Sequence, residues 1–148
     1  MPTDAELRSV RQAIYQAVVE RGSAPSASDV ARACGVPEPV AQAAFRDLAA
    51  AHVIILRPAS LELWAAPPFS AAPTRFEVRA DGRAFFAPCA WDAFGIPAAL
   101  HADAVIETSC AWSHDALRCG VRDGRAFGAA VVHLLVPAAH FWDDVIYT

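Results

Sequence analysis

Three prolines, Pro67, Pro68 and Pro73, fall close together near the middle of the chain and divide it. Proline fixes its own φ and has no backbone N–H, so neither a helix interior nor a central strand runs through such a stretch. The hydrophobic period differs on its two sides. Upstream, Leu7, Val10, Ile14, Ala17 and Val18 recur at helical spacing between Ala5 and Glu20. Downstream, short alternating runs are separated by Asp-Gly pairs. Ala65 to Thr74 is therefore expected to be a linker, with one module over residues 1–66 and a second over 67–148.

In the first module, Gly22 and Pro25 close the opening helix. Ser28 is the expected N-cap of a second helix over Asp29 to Cys34, which Gly35 ends. Pro37 opens a third, through about Ala51. Two strands, Val53 to Arg57 and Leu61 to Ala65, flank the turn Pro58-Ala59-Ser60. Three helices followed by a hairpin is the order of a winged helix, and Ser28 to Val36 resembles the start of a helix-turn-helix. A DNA-reading version would use the third helix. That helix offers Arg46 and Gln42 against Glu38 and Asp47. All 12 basic residues are arginine, and the net charge is −4. No basic face is legible, so a structural use of the module is favoured over nucleic-acid binding.

The second module reads as α+β with mostly antiparallel pairing. Asp81-Gly82 joins Arg75–Arg79 to Arg83–Ala87 in a hairpin. A helix follows from near Cys89, with Gly95 and Pro97 expected to break it. Ala104 to Thr108, Leu117 to Val121 and Phe127 to Pro137 read as strands, the last two joined by Arg122-Asp123-Gly124-Arg125. The apolar ending, His140 to Thr148, is expected to dock on the core and to continue in longer relatives. With 55% apolar and 19% charged residues, the chain can bury a core. Every apolar run is interrupted before it reaches membrane-spanning length. Met1 to Glu6 lacks the basic-then-apolar order of a signal peptide, which predicts a cytoplasmic protein with reduced thiols.

Chemistry concentrates at Cys89. It sits where an apolar strand meets a helix, a place where backbone N–H groups and the helix dipole favour a thiolate. Asp92, three residues on, shares its helix face. The pair combines a soft nucleophile with a proton carrier. A structural reading is also available, with Cys89 as a small core residue and Asp92 as a first-turn acid. Cys34 and Cys119 are expected to pack in helix and strand cores. Cys110, His114 and Cys119, with His133 or His140, lie close in sequence but match no usual zinc spacing. His52 and His101 are isolated. Trp64, Trp91, Trp112 and Trp142 are expected in the core or on pocket walls, since no basic residues interleave with them.

The stretch Phe76 to Pro97 resembles organomercurial (alkylmercury) lyase, above all in Asp81-Gly82-Arg83, Cys89-Ala90-Trp91-Asp92 and Ile96-Pro97. The order of a winged-helix-like module and then this hairpin and Cys-x-x-Asp also agrees with that family. The resemblance implies cleavage of carbon–mercury bonds, with Cys89 and Asp92 as both catalytic residues and mercury ligands. It implies an organomercurial substrate, Hg(II) as bound product and no organic cofactor. Low-molecular-weight thiols or a mercury-accepting protein would take the product. It further implies a structural role for Cys110 and a second active-site cysteine toward the C-terminus. No cysteine follows Cys119, and Asp143 or Asp144 stands in the corresponding region. Two other readings stay open: a non-catalytic protein that binds soft metals or organometals, and a winged-helix transcription regulator.

Overall fold

The structure, a computed structural model, describes residues 1–145. It comprises two compact units that divide between Thr74 and Arg75. The first contains α1 (Asp4–Arg21), α2 (Ala27–Cys34), α3 (Glu38–Ala50), β1 (Ile55–Leu56), β2 (Leu63–Ala66) and β3 (Phe69–Ser70). Val10 and Ile14 of α1, Val30 of α2, Ala44 and Phe45 of α3 and Ile54 before β1 form its core, each at most 1% exposed. The hydroxyl of Tyr15 donates to the carbonyls of Val53 and Pro67, at 3.2 and 3.0 Å, tying α1 to both ends of the small sheet.

Two expectations change in this unit. The N-cap of α2 is Ser26, not Ser28. Its side chain accepts from the Asp29 amide at 3.1 Å, and Asp29 accepts from the Ser26 amide at 3.1 Å. The reciprocal pair needs an acid three residues after the cap, which only Ser26 has. The expected linker is also structured. Ala65 pairs with Ser70 and Ala66 with Phe69, so β2 and β3 form a hairpin. Pro67 and Pro68 occupy its turn, where their missing N–H groups interrupt no ladder.

The second unit carries β4 (Glu77–Ala80), β5 (Arg83–Phe86), α4 (Ala90–Leu100), β6 (Ala104–Ser109), β7 (Ala116–Arg122) and β8 (Arg125–Phe127). The strands lie in the order β5-β4-β6-β7-β8, with every neighbouring pair antiparallel. Both Asp-Gly turns have positive φ at both residues, 50° and 71° in each, as a two-residue hairpin turn of the right twist requires.

One face of this sheet is apolar. Phe85, Val78, Ile106 and Cys119 pair in a single row across four strands, and each is at most 6% exposed. Helix α4 packs on β4, β6 and β7, burying Ala93, Ile96 and Pro97. The alternate residues face solvent: Arg79 pairs with Glu77 at 2.8 Å and Glu107 at 3.6 Å. Such exposed pairs contribute little stability, so the α4 interface holds this unit.

Helix α4 runs through Gly95 and Pro97 instead of breaking at them. Pro97 falls in the last turn, and its ring is buried, which offsets the lost backbone hydrogen bond. By contrast, β8 stops at Phe127, short of the expected Pro137. Gly128 turns the chain away at φ 110°. A Cβ there would stand 2.5 Å from the Cys119 Cβ, so only glycine lets the backbone lie this close to β7. Beyond it Val131 and Leu135 are 93% and 63% exposed. The expected docked ending is largely exposed in its described part, including Trp142 and Asp143; Ile146, Tyr147 and Thr148 lie outside the described residues.

Candidate active site

The connection from β5 to β6 builds the site. Both strands are antiparallel to β4, so they run parallel to each other, and α4 is the crossover between them. The start of α4 therefore lies at the sheet edge where β5 and β6 both end. Cys89 is the N-cap residue of α4, with extended backbone angles of −145° and 176°. Asp92 lies in the first turn. The Cys89 Sγ donates to Asp92 Oδ2 at 3.4 Å, and both side chains are half-buried.

The electrostatics of this pair differ from the sequence expectation of a favoured thiolate. Burial pushes the Cys89 thiol up from its ordinary value. The amides of Asp92 and Trp91 pull it down, and the Asp92 charge and hydrogen bond push it up. Those amides point at the sulfur without closing a well-formed cap hydrogen bond, so desolvation outweighs them. Asp92 is also raised by burial, against the lowering effect of the Cys89 hydrogen bond. The resting pair is thus a thiol donating to a carboxylate that has enhanced affinity for a proton.

The other candidates are placed elsewhere. Cys119 is 6% exposed within the sheet core. Cys110 follows β6, where its sulfur accepts the Ser113 amide at 3.5 Å; that amide above all lowers its thiol pKa. All four cysteines are free. His140 pairs with Asp143 at 2.8 Å, both exposed. Among the described residues, no group of three His, Cys, Asp or Glu side chains could hold a metal ion. Neither the zinc set nor a third ligand from Cys110, Cys119, Asp143 or Asp144 therefore assembles among them. Three of the tryptophans are surface residues, not core: Trp91 is 67%, Trp112 92% and Trp142 39% exposed. An open groove of about 390 Å³ belongs to the first unit, between α1 and α2, and is not part of this site.

Sequence reasoning passed over Thr108. Its Oγ1 is buried without a hydrogen-bond partner. The signal was its position two residues after Ile106 and four after Ala104, where the alternation calls for an apolar side chain.

The second unit is thus an α+β domain that joins a thiol and a carboxyl at the start of a helix. The chain belongs to the alkylmercury lyase (MerB) family, whose pattern it matches over residues 69–148. No curated protein matches it in sequence. It is similar to a solved structure described as the mercury-bound form of MerB2, at 25% identity and a TM-score of 0.66. The match covers 85% of this chain and 60% of that one, so the chain spans less than two thirds of that protein's length. No helix among the described residues is long and apolar enough to cross a membrane.

Proposed function

We propose that the protein cleaves carbon–mercury bonds, with Cys89 as nucleophile and Asp92 as proton carrier. The observation that carries this reading is the 3.4 Å hydrogen bond from Cys89 to Asp92 at the start of α4. Mercury is soft and prefers sulfur to oxygen or nitrogen. When an organomercury cation meets Cys89, a sulfur–mercury bond forms and the thiol proton moves along the existing hydrogen bond to Asp92. Burial favours the protonated form of Asp92, so the proton is held beside the mercury-bound carbon. Asp92 then gives it up. The mercury–carbon bond breaks, its electron pair forms the new carbon–hydrogen bond, and the organic group leaves as a hydrocarbon.

Hg(II) remains on Cys89, with the Asp92 carboxylate as the adjacent oxygen ligand. Two external thiols remove it as a dithiolate complex; one of their two protons restores the Cys89 thiol and the other passes to solvent. Low-molecular-weight thiols or a mercury-accepting protein fill this role in the cytoplasm, where thiols are kept reduced. The chemistry calls for no organic cofactor. We assign the first unit, which extends past the expected boundary at residue 66 to Thr74, a winged-helix-like structural role, and the reaction to the second unit, which carries Cys89 and Asp92.

The test is mass spectrometry of the protein after stoichiometric incubation with a phenylmercury salt. The expected product is protein carrying mercury without phenyl, with benzene released. A stable phenylmercury adduct would instead establish a binding protein.

A further inference from the structure

Three features converge on Thr108. First, it lies on the face of the sheet that α4 covers. Ala104 and Ile106, at alternate positions of the same strand, are 3% and 1% exposed there, whereas Glu107 points to the solvated face. Second, it lies at the edge where α4 begins. The Ala87 amide donates to the Phe76 carbonyl at 3.0 Å, and Glu77, the next residue, pairs with Glu107. Continued by one residue, that register puts Thr108 in the same row as Ala87, two residues before Cys89. The two positions are two strand spacings apart, about 10 Å. The start of α4 rises from this row. Third, the Thr108 hydroxyl is buried with no partner, the one side-chain atom of its kind among the described residues. An unpaired buried hydroxyl is destabilising, and a threonine here calls for an explanation that a valine would not.

Asp92 has the complementary need. Among the described residues its one hydrogen-bond donor is the Cys89 thiol, and that proton is lost once mercury occupies the sulfur. After the second proton transfer Asp92 is a half-buried carboxylate without its donor. We propose that Thr108 is a positioning residue of the site, its hydroxyl donating to the Asp92 carboxylate that remains when the proton has passed to the leaving carbon. This rests on the function proposed above and adds a third participant to it. The hydroxyl acts through Asp92 and touches neither mercury nor carbon. A hydrogen bond to a charged group contributes about 1.5–3 kcal/mol, which corresponds to roughly a ten- to hundredfold effect on a rate.

The test compares Thr108→Val with Thr108→Ser in the full chain. Valine keeps the shape and removes the hydroxyl, so its unfolding midpoint should equal or exceed that of the wild type. Single-turnover benzene release from phenylmercury should slow about ten- to a hundredfold in Thr108→Val and return toward the wild-type rate in Thr108→Ser. Capture of phenylmercury by Cys89 should be unchanged in both. Adding Thr108→Val to Asp92→Asn should cause no further loss. Wild-type release by Thr108→Val, or equal losses in the two Thr108 variants, would overturn the proposal. Retention of Hg(II) against a competing dithiol gives a readout independent of cleavage: Thr108→Val should lose the metal more readily, and Thr108→Ser should not. If the wild type holds Hg(II) but releases no benzene, the lyase reading fails alone. If Thr108→Val retains Hg(II) as the wild type does, the Thr108 reading fails.

Discussion

Asp92→Asn should move two properties of Cys89 in opposite directions. The carboxylate accepts the thiol hydrogen bond at 3.4 Å and holds the proton on sulfur by its charge. Asparagine has nearly the same shape and no charge, so the thiol pKa should fall and more Cys89 should be ionised at neutral pH. Alkylation of Cys89 by iodoacetamide, followed on its own peptide so that the other cysteines do not interfere, should become faster. Benzene release should become slower, because asparagine cannot take the proton and return it. A positioned general acid contributes roughly 10²–10⁴-fold, or about 3–5 kcal/mol at 1.36 kcal/mol per factor of ten. The helix start should tolerate the change. Losing a first-turn acid costs about 0.3–1 kcal/mol, offset by removing a half-buried charge. If alkylation and release both fell together, Asp92 would be a structural support for the α4 start and not a proton carrier.

Cys89→Ser should reduce benzene release to that of a protein-free control and leave no mercury on the α4 peptide; turnover by this variant would remove Cys89 as the nucleophile. Ile96→Ala empties a fully buried position under α4 and should cost about 2–5 kcal/mol in urea unfolding, with a loss below 1 kcal/mol contradicting the packing described. Gly120→Ala should prevent normal folding of the sheet, judged by circular dichroism, since its Cβ would collide with the Ala104 carbonyl oxygen; a native spectrum would refute the register of β6 and β7. Release should be bell-shaped in pH: it rises as Asp92 ionises and becomes able to accept the thiol proton, and falls as Cys89 loses the proton to be delivered, with both limbs displaced upward because burial raises both groups. The same shift predicts a stability trend. The folded state binds the Asp92 proton more tightly than the unfolded state, so stability falls as pH rises from the ordinary aspartate value through the raised one. Asp92→Asn should abolish that decline.

The residues differ in how openly they declare their structure. Asp81-Gly82 and Asp123-Gly124 demand positive φ at successive positions, a local requirement that reads directly from sequence, and both hairpins form. The Cys89–Asp92 spacing is local in the same sense, and the two side chains do meet. Tertiary packing decided the rest. Pro97 ought to end a helix, but its burial against the sheet keeps α4 whole. The apolar run after Phe127 has strand composition, yet Gly128 takes the chain off the ladder because it must fit against Cys119. The α2 cap was legible as Ser26-x-x-Asp29 and was obscured by the nearer Ser28. The Cys89 thiol illustrates the limit most clearly. Its position at a helix start predicts acidification, but sequence does not reveal the burial that reverses it. Thr108 is hidden for the same reason, since a strand threonine becomes informative only once its hydroxyl is found buried and unpaired.

The most direct test of the central claim is a single turnover of phenylmercury in D₂O, with the hydrocarbon and the protein both analysed by mass. Proton delivery through exchangeable Asp92 predicts benzene carrying one solvent deuterium, together with protein that has gained mercury alone at Cys89. Intact phenylmercury on Cys89 with no benzene released would contradict it.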